Sequence, residues 1–206
     1  MGKLPARSGA LIGSFWEQAW FDGLCDALEH RGARIDWYGN NRSRWVRYPE
    51  RDLLRAGITA HGVVSEEQLA AALRRYPFVI VPVGMLDGTE LHPGIARLSL
   101  PGRILFTAAA SNTPVIVVGN ENTCGAHFVR RFGIGEVVPY DGAKLVAAMD
   151  RLSQPEAQAK LRANALRIAP ALSDRGISAW LTASIERGQP ADSRFEDLFA
   201  RYRAES

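Results

Sequence analysis

The stretch that most constrains this chain is Pro114-Val-Ile-Val-Val118, a run of apolar β-branched residues with no polar alternation. A strand of that kind cannot leave one face in water. It needs cover on both faces, which a parallel sheet flanked by helices supplies. Upstream, Ser99 is placed to cap a helix that carries Pro101 in its first turn and small apolar residues through Ala110. Asn112-Thr113-Pro114 stops that helix, and a turn and a further helix follow the strand. A helix N-terminus at the mouth of a parallel sheet offers unpaired N–H groups and the positive end of its dipole, so a phosphate-bearing ligand is expected there.

The remainder of the chain alternates in the same way. Strands are expected at residues 10–14, 33–38, 58–61, 78–83, 114–118 and 136–139. Helical spacing is visible at 16–31, 142–152, 156–168, 177–187 and 193–203, and Ser65-Glu-Glu-Gln68 reads as a capping box opening a helix to Arg75. Residues 41–54 are polar and arginine-rich with little periodicity, a loop with room for one helical turn. Strands alternating with helices predict an α/β fold, a doubly wound Rossmann-like parallel sheet with helices on both faces and ligands beyond the carboxyl ends of the strands. Residues 9–188 are expected to form that domain, 1–8 the end of a linker, and 189–206 an amphipathic tail.

At 206 residues and 47% hydrophobic, the chain is long enough for one such core. Twenty-five basic side chains against 22 acidic ones give a net charge of +3, so nothing calls for a nucleic-acid partner. Arg74-Arg75 and Arg130-Arg131 are short pairs at expected helix ends, where cations are favoured. Cys25 and Cys124 lack any partner motif and read as reduced thiols. The longest apolar run, residues 78–86, is broken by Pro82 and Gly84 and is too short to span a bilayer. With no signal peptide visible, the expected location is cytoplasmic.

The usual nucleotide fingerprints are absent: there is no G-x-G-x-x-G after the first strand and no P-loop. A nucleophile elbow is also lacking, and the four histidines show no metal-ligand spacing. Ligands held by backbone amides and scattered side chains remain. Asp87, Glu90 and His92 fall in a long expected loop after the fourth strand, a place where functional residues gather. His61 reads as a strand end, and Phe15, Trp16 and Trp20 as a helix face against the core, with the alternative that one of the three covers the ligand or a missing domain.

Taken in order, several segments resemble the carboxyl-terminal domain of a GT-B glycosyltransferase, nearest to the retaining family 4 type. Ile12-Gly13-Ser14 matches the opening strand, and His61-Gly62-Val63-Val64-Ser65-Glu66-Glu67-Gln68-Leu69 matches "h-G-x-v-s-x-e-e-l". Val79-Ile-Val-Pro82 matches the strand that ends in proline. Residues 100–116 echo "l-P-x-K-l-l-e-y-l-a-a-G-x-P-V-v" with one extra residue, and residues 128–138 match the "f-V-x-x-x-g-i-G-x-v-v" tail. The resemblance covers roughly residues 8–155.

That resemblance implies a nucleoside diphosphate sugar as substrate, no resident cofactor or metal, and retention of anomeric configuration. It places Gly62, Val63 and Val64 against the base and Ser99, Leu100, Pro101 and Gly102 at the pyrophosphate. Gly13 and Ser14 would let phosphate or sugar approach the backbone. The pair of glutamates that such domains carry eight positions apart is missing; Ser99 and Thr107, or Leu98 and Phe106, stand there. Ser14-Phe15-Trp16-Glu17 occupies the place of the family's phosphate-neutralising Arg and Lys, leaving Arg103 as the catalytic cation. An amino-terminal acceptor-binding domain is the implied partner. A non-catalytic GT-B-like scaffold is the alternative, and a sugar-nucleotide epimerase of the same fold has little support.

Overall fold

The computed structural model describes residues 7–40 and 42–193. Its elements run β1 (Ser8–Ile12), α1 (Gln18–Leu28), β2 (Arg34–Tyr38), α2 (Glu50–Arg55), β3 (Ile58–Gly62), α3 (Glu66–Leu73), β4 (Val79–Pro82), α4 (Pro93–Leu98) and α5 (Gly102–Phe106). They continue with β5 (Val115–Val118), α6 (Cys124–Phe132), β6 (Gly135–Val138), α7 (Gly142–Leu152), α8 (Pro155–Ile168) and α9 (Ile177–Arg187). The six strands form one parallel sheet in the order β3-β2-β1-β4-β5-β6. This is the doubly wound, Rossmann-like architecture, and its chain reverses direction across the sheet between β1 and β4.

The four residues of β5 are all fully buried, as the sequence run demands. Val115 and Val117 pack with Ile104, Ala108 and Val129 on one face, while Ile116 and Val118 pack with Phe21, Leu24, Leu145 and Met149 on the other. Helices α1, α2 and α7 thus cover one side, and α3, α5, α6 and α8 the other. The expected capping box at Ser65 is present, with its hydroxyl accepting from the Gln68 amide and the Gln68 side chain accepting from the Ser65 amide. Among the described residues no helix is long and apolar enough to cross a membrane.

The structure differs from expectation in three places. The long loop after β4 contains α4, six residues opened by Pro93, too short to leave an apolar period in the sequence. Ser99 closes that helix, its amide bonding the Ile95 carbonyl at 2.9 Å, and therefore does not cap the next. Pro101 is the residue before α5, which begins at Gly102. Finally, α5 runs into a π-helical turn, Thr107–Ser111, before Asn112 reverses the chain at φ 54°. The expected helix at 193–203 lies outside the described residues apart from Ser193, as does most of the expected linker at 1–8.

Candidate functional site

The carboxyl ends of β1 and β4 diverge at the reversal point, and a cleft of about 320 Å³ opens between them. Gly13 leaves β1 at φ 83°, a conformation that glycine alone adopts freely. Its amide bonds the Tyr38 carbonyl at 3.0 Å, and its carbonyl accepts from Trp37 Nε1 at 2.7 Å. A Cβ on Gly39 would meet the Gly13 oxygen at 2.2 Å, so the loops after β1 and β2 touch backbone to backbone. The floor of the cleft is therefore fixed main chain. Pro82 and Val83 continue it on the β4 side.

Arg103 binds this floor together from α5. Its Nη1 donates to the carbonyls of Ile12 at 3.1 Å and Ser14 at 3.0 Å, and its Nη2 to Pro82 at 2.7 Å. One guanidinium thus bridges the ends of two strands that carry no mutual bond beyond Leu11 and Ile80. Burial pulls its pKa down from 12.5 to about 10, with the Tyr140 and Tyr48 phenols acting weakly the other way. It remains protonated at neutral pH. No carboxylate among the described residues forms an ion pair with it. A partly buried cation without an anionic partner is costly, and the open cleft that it lines is where an anion would offset that cost.

Gly13, Ser14, Ser99, Leu100, Pro101, Gly102 and Arg103 are brought together on this one cleft. The amides of Gly102 and Arg103 open α5, where helical N–H groups lack intrahelical acceptors. Gly62, Val63 and Val64 sit apart, two strands away at the carboxyl end of the edge strand β3. Thr107 is not on the cleft. It is fully buried and its hydroxyl donates to the Arg103 carbonyl at 2.7 Å, within the helix.

Further residues line the cleft, two of them tryptophans for which the sequence allowed a ligand-covering role as the alternative to core packing. Trp16, half-exposed to solvent rather than packed in the core, walls the cleft together with buried Trp20, and α4 supplies Ile95 and Ala96. The short α4 left no readable signal. Pro82 and Val83 could have been found, because a buried strand ending at the reversal point must present its last residues to the ligand side. Of the loop residues, Glu90 is buried with one carboxylate oxygen taking the Leu86 amide and the other unpartnered. Asp87 accepts from the Thr89 amide and hydroxyl, which hold its carboxyl below the usual range. His61 is engaged at the sheet edge, its Nε2 2.6 Å from Asp36 Oδ1, while the Tyr76 hydroxyl donates to Asp36 Oδ2 at 2.7 Å. Burial and the hydrogen bonds with the Tyr38 hydroxyl and Asp36 raise the Tyr76 pKa.

No protein-family model matches this chain, and no curated protein matches it in sequence. Among solved structures it is similar to WaaG, a glycosyltransferase involved in lipopolysaccharide biosynthesis, with a TM-score of 0.53 and 13% identity. That match covers 84% of this chain and 46% of WaaG. It is also similar to UGT71G1 of Medicago truncatula, crystallised with UDP-glucose, with a TM-score of 0.47 and 11% identity over 98% of this chain and 41% of that one. The chain spans less than half the length of either protein. At these identities the likeness to WaaG is one of fold: an α/β domain of the Rossmann-like kind.

Proposed function

We propose that this chain is the donor-binding domain of a GT-B glycosyltransferase, a carboxyl-terminal domain of the retaining family 4 type, and that the cleft between β1 and β4 holds a nucleoside diphosphate sugar. The observation that carries the reading is Arg103: a partly buried guanidinium on the cleft, with no carboxylate ion pair among the described residues, held by the backbone carbonyls of the cleft floor at the fold's reversal point. The diphosphate lies along Gly13-Ser14 and the opening amides of α5, and the base extends toward Gly62-Val63-Val64. Arg103 acts mainly through its charge, since its hydrogen bonds go to the Ile12, Ser14 and Pro82 carbonyls. It lowers the energy of the departing diphosphate and holds the floor that receives it.

In the transfer, the bond from the anomeric carbon to the diphosphate oxygen breaks and one to the acceptor hydroxyl oxygen forms. The hydroxyl proton passes to the departing diphosphate. An acceptor-binding domain, the partner that the resemblance implies, completes the site. Nucleotide sugars as cytosolic metabolites and two unpaired cysteines suit a cytoplasmic setting.

The test is titration calorimetry of the chain with UDP, GDP, ADP, dTDP and CMP, without added metal. One diphosphate is expected to bind selectively, and Arg103→Ala to weaken it by about tenfold or more, as loss of a charge-assisted interaction does. A flat response to every nucleotide would instead support the non-catalytic scaffold.

A further inference from the structure

The floor of the cleft is main chain, which carries acceptors as well as donors. Past Leu11 and Ile80 the strands β1 and β4 diverge, and their carbonyls have no partner across the gap. Each of the four floor residues gives its carbonyl to a side chain instead. Arg103 takes those of Ser14 and Pro82. Trp37 Nε1 takes Gly13 at 2.7 Å, and the Tyr140 hydroxyl takes Val83 at 2.8 Å. We infer that Trp37 and Tyr140 are positioning residues for a diphosphate: by holding these two carbonyls they keep the floor receptive to an anion. The inference rests on the donor reading for the identity of that anion.

A carbonyl oxygen turned toward a diphosphate would repel it, and more strongly in a cleft than in water. In a planar trans peptide the N–H points opposite to the C=O. Holding the Gly13 carbonyl therefore also sets the direction of the Ser14 N–H, and holding Val83 sets that of Gly84. The two donors reach the floor from opposite sides, Trp37 from β2 beside β1 and Tyr140 from the turn after β6, two strands beyond β4. Both are fixed in place. Trp37 is fully buried, with the Phe15 and Tyr48 rings edge-on at 5.9 and 4.8 Å. The Tyr140 ring lies against α1 at Gly23, where a Cβ would come within 3.1 Å of it. A glycine inside a helix lowers its stability, so α1 makes room for this ring at a cost.

The charges around the cleft show why covered carbonyls matter. Among the described residues Arg103 is the one cation that lines it, and no carboxylate does. Two carboxylates flank it. Glu17 lines the neighbouring groove and accepts from the Leu91 amide at 3.4 Å. Glu90 accepts from the Leu86 amide and acts electrostatically on Tyr140. Both oppose an anion, so a single guanidinium needs a floor that adds no further negative potential. Burial raises the Tyr140 pKa against the pull of Arg103, which keeps the hydroxyl protonated and donating throughout the neutral range.

NMR titration of the 206-residue chain and of Tyr140→Phe tests this. The probes are inorganic pyrophosphate, the nucleoside diphosphate preferred among UDP, GDP, ADP and dTDP, and the matching nucleoside. Phenylalanine keeps the ring and removes the donor. It is expected to weaken the diphosphate and pyrophosphate by about fivefold and to leave the uncharged nucleoside unchanged. Trp37→Phe, which removes the other donor, is expected to act in the same direction and carries the test where Tyr140→Phe does not fold. Unchanged diphosphate and pyrophosphate affinity in the folded variants overturns the proposal and leaves the donor reading standing. Equal weakening of nucleoside and diphosphate also overturns it, since that is what a general loosening of the fold produces. Pyrophosphate binding without nucleotide binding, with the selective loss in Tyr140→Phe, removes the donor reading and leaves the anion-receptive floor. A parent chain that binds neither overturns both.

Discussion

Arg103 and Cys25 show how burial acts on single residues in this fold. With its pKa pulled down to about 10 by desolvation, Arg103 is charged throughout the neutral range. An anion in the cleft favours that charged form, so ligand binding must raise the pKa and deprotonation must weaken binding. Affinity for the preferred nucleoside diphosphate is therefore expected to hold steady to about pH 9 and to fall as pH passes 10, a trend that calorimetry across pH reads directly. Affinity that rises above pH 10 would place the charge elsewhere. Cys25 is fully buried in the core on α1, and burial pushes its thiol up to about 12. It is expected to resist a thiol reagent such as DTNB in the native state at pH 8 and to react once guanidinium unfolds the chain. Cys124, only partly buried, offers the contrast within the same molecule.

At the scale of elements, the helix after α4 is the informative one. The segment from Leu100 to Ile116 exceeds the pattern it resembles by one residue, and the structure has a place for that residue in the π-helical turn Thr107–Ser111. Side chains support the widened turn: Thr107 donates to the Arg103 carbonyl, Ser111 to Thr107 and Asn112 to Ala108, all at 2.7 to 2.9 Å. Deleting Ala110 is expected to restore a regular α-helix and to leave unfolding free energy within about 1 kcal/mol of the parent, measured by urea denaturation. A loss of several kcal/mol would mean that the turn is fixed by packing against α3 and α8. The residue types gave away the helix, because small apolar residues bounded by Pro101 and Asn112 admit little else. They did not give its start. Ser99 looks like a cap until α4 is known to end there, and a helix of six residues leaves too short a period to read. The arginine-rich stretch after β2 was legible only as a loop, since the contacts that anchor it, from Gln18 and the Phe21 and Trp37 rings, come from distant parts of the chain.

For the molecule as a whole, the sheet was the most legible part, because β-branched runs buried on both faces allow few alternatives. Which residues would meet was legible where it depends on backbone: Gly13, Ser14 and residues 99–103 line one cleft because the strand order places the ends of β1 and β4 beside the start of α5. Thr107 was misplaced for the opposite reason, since helix phase decides whether a side chain faces the cleft or the core. Beyond the cleft, α9 leaves Ile177, Leu181 and Ile185 exposed along one stripe. The account turns on where a diphosphate binds, and amide chemical-shift mapping of the ¹⁵N-labelled chain with the nucleoside diphosphate preferred in calorimetry measures that most directly. The largest shifts are predicted at Gly13, Ser14, Gly102 and Arg103, with a smaller set at Gly62-Val63-Val64. Shifts centred instead on the start of α6, around Thr123, or spread without a centre, would contradict it.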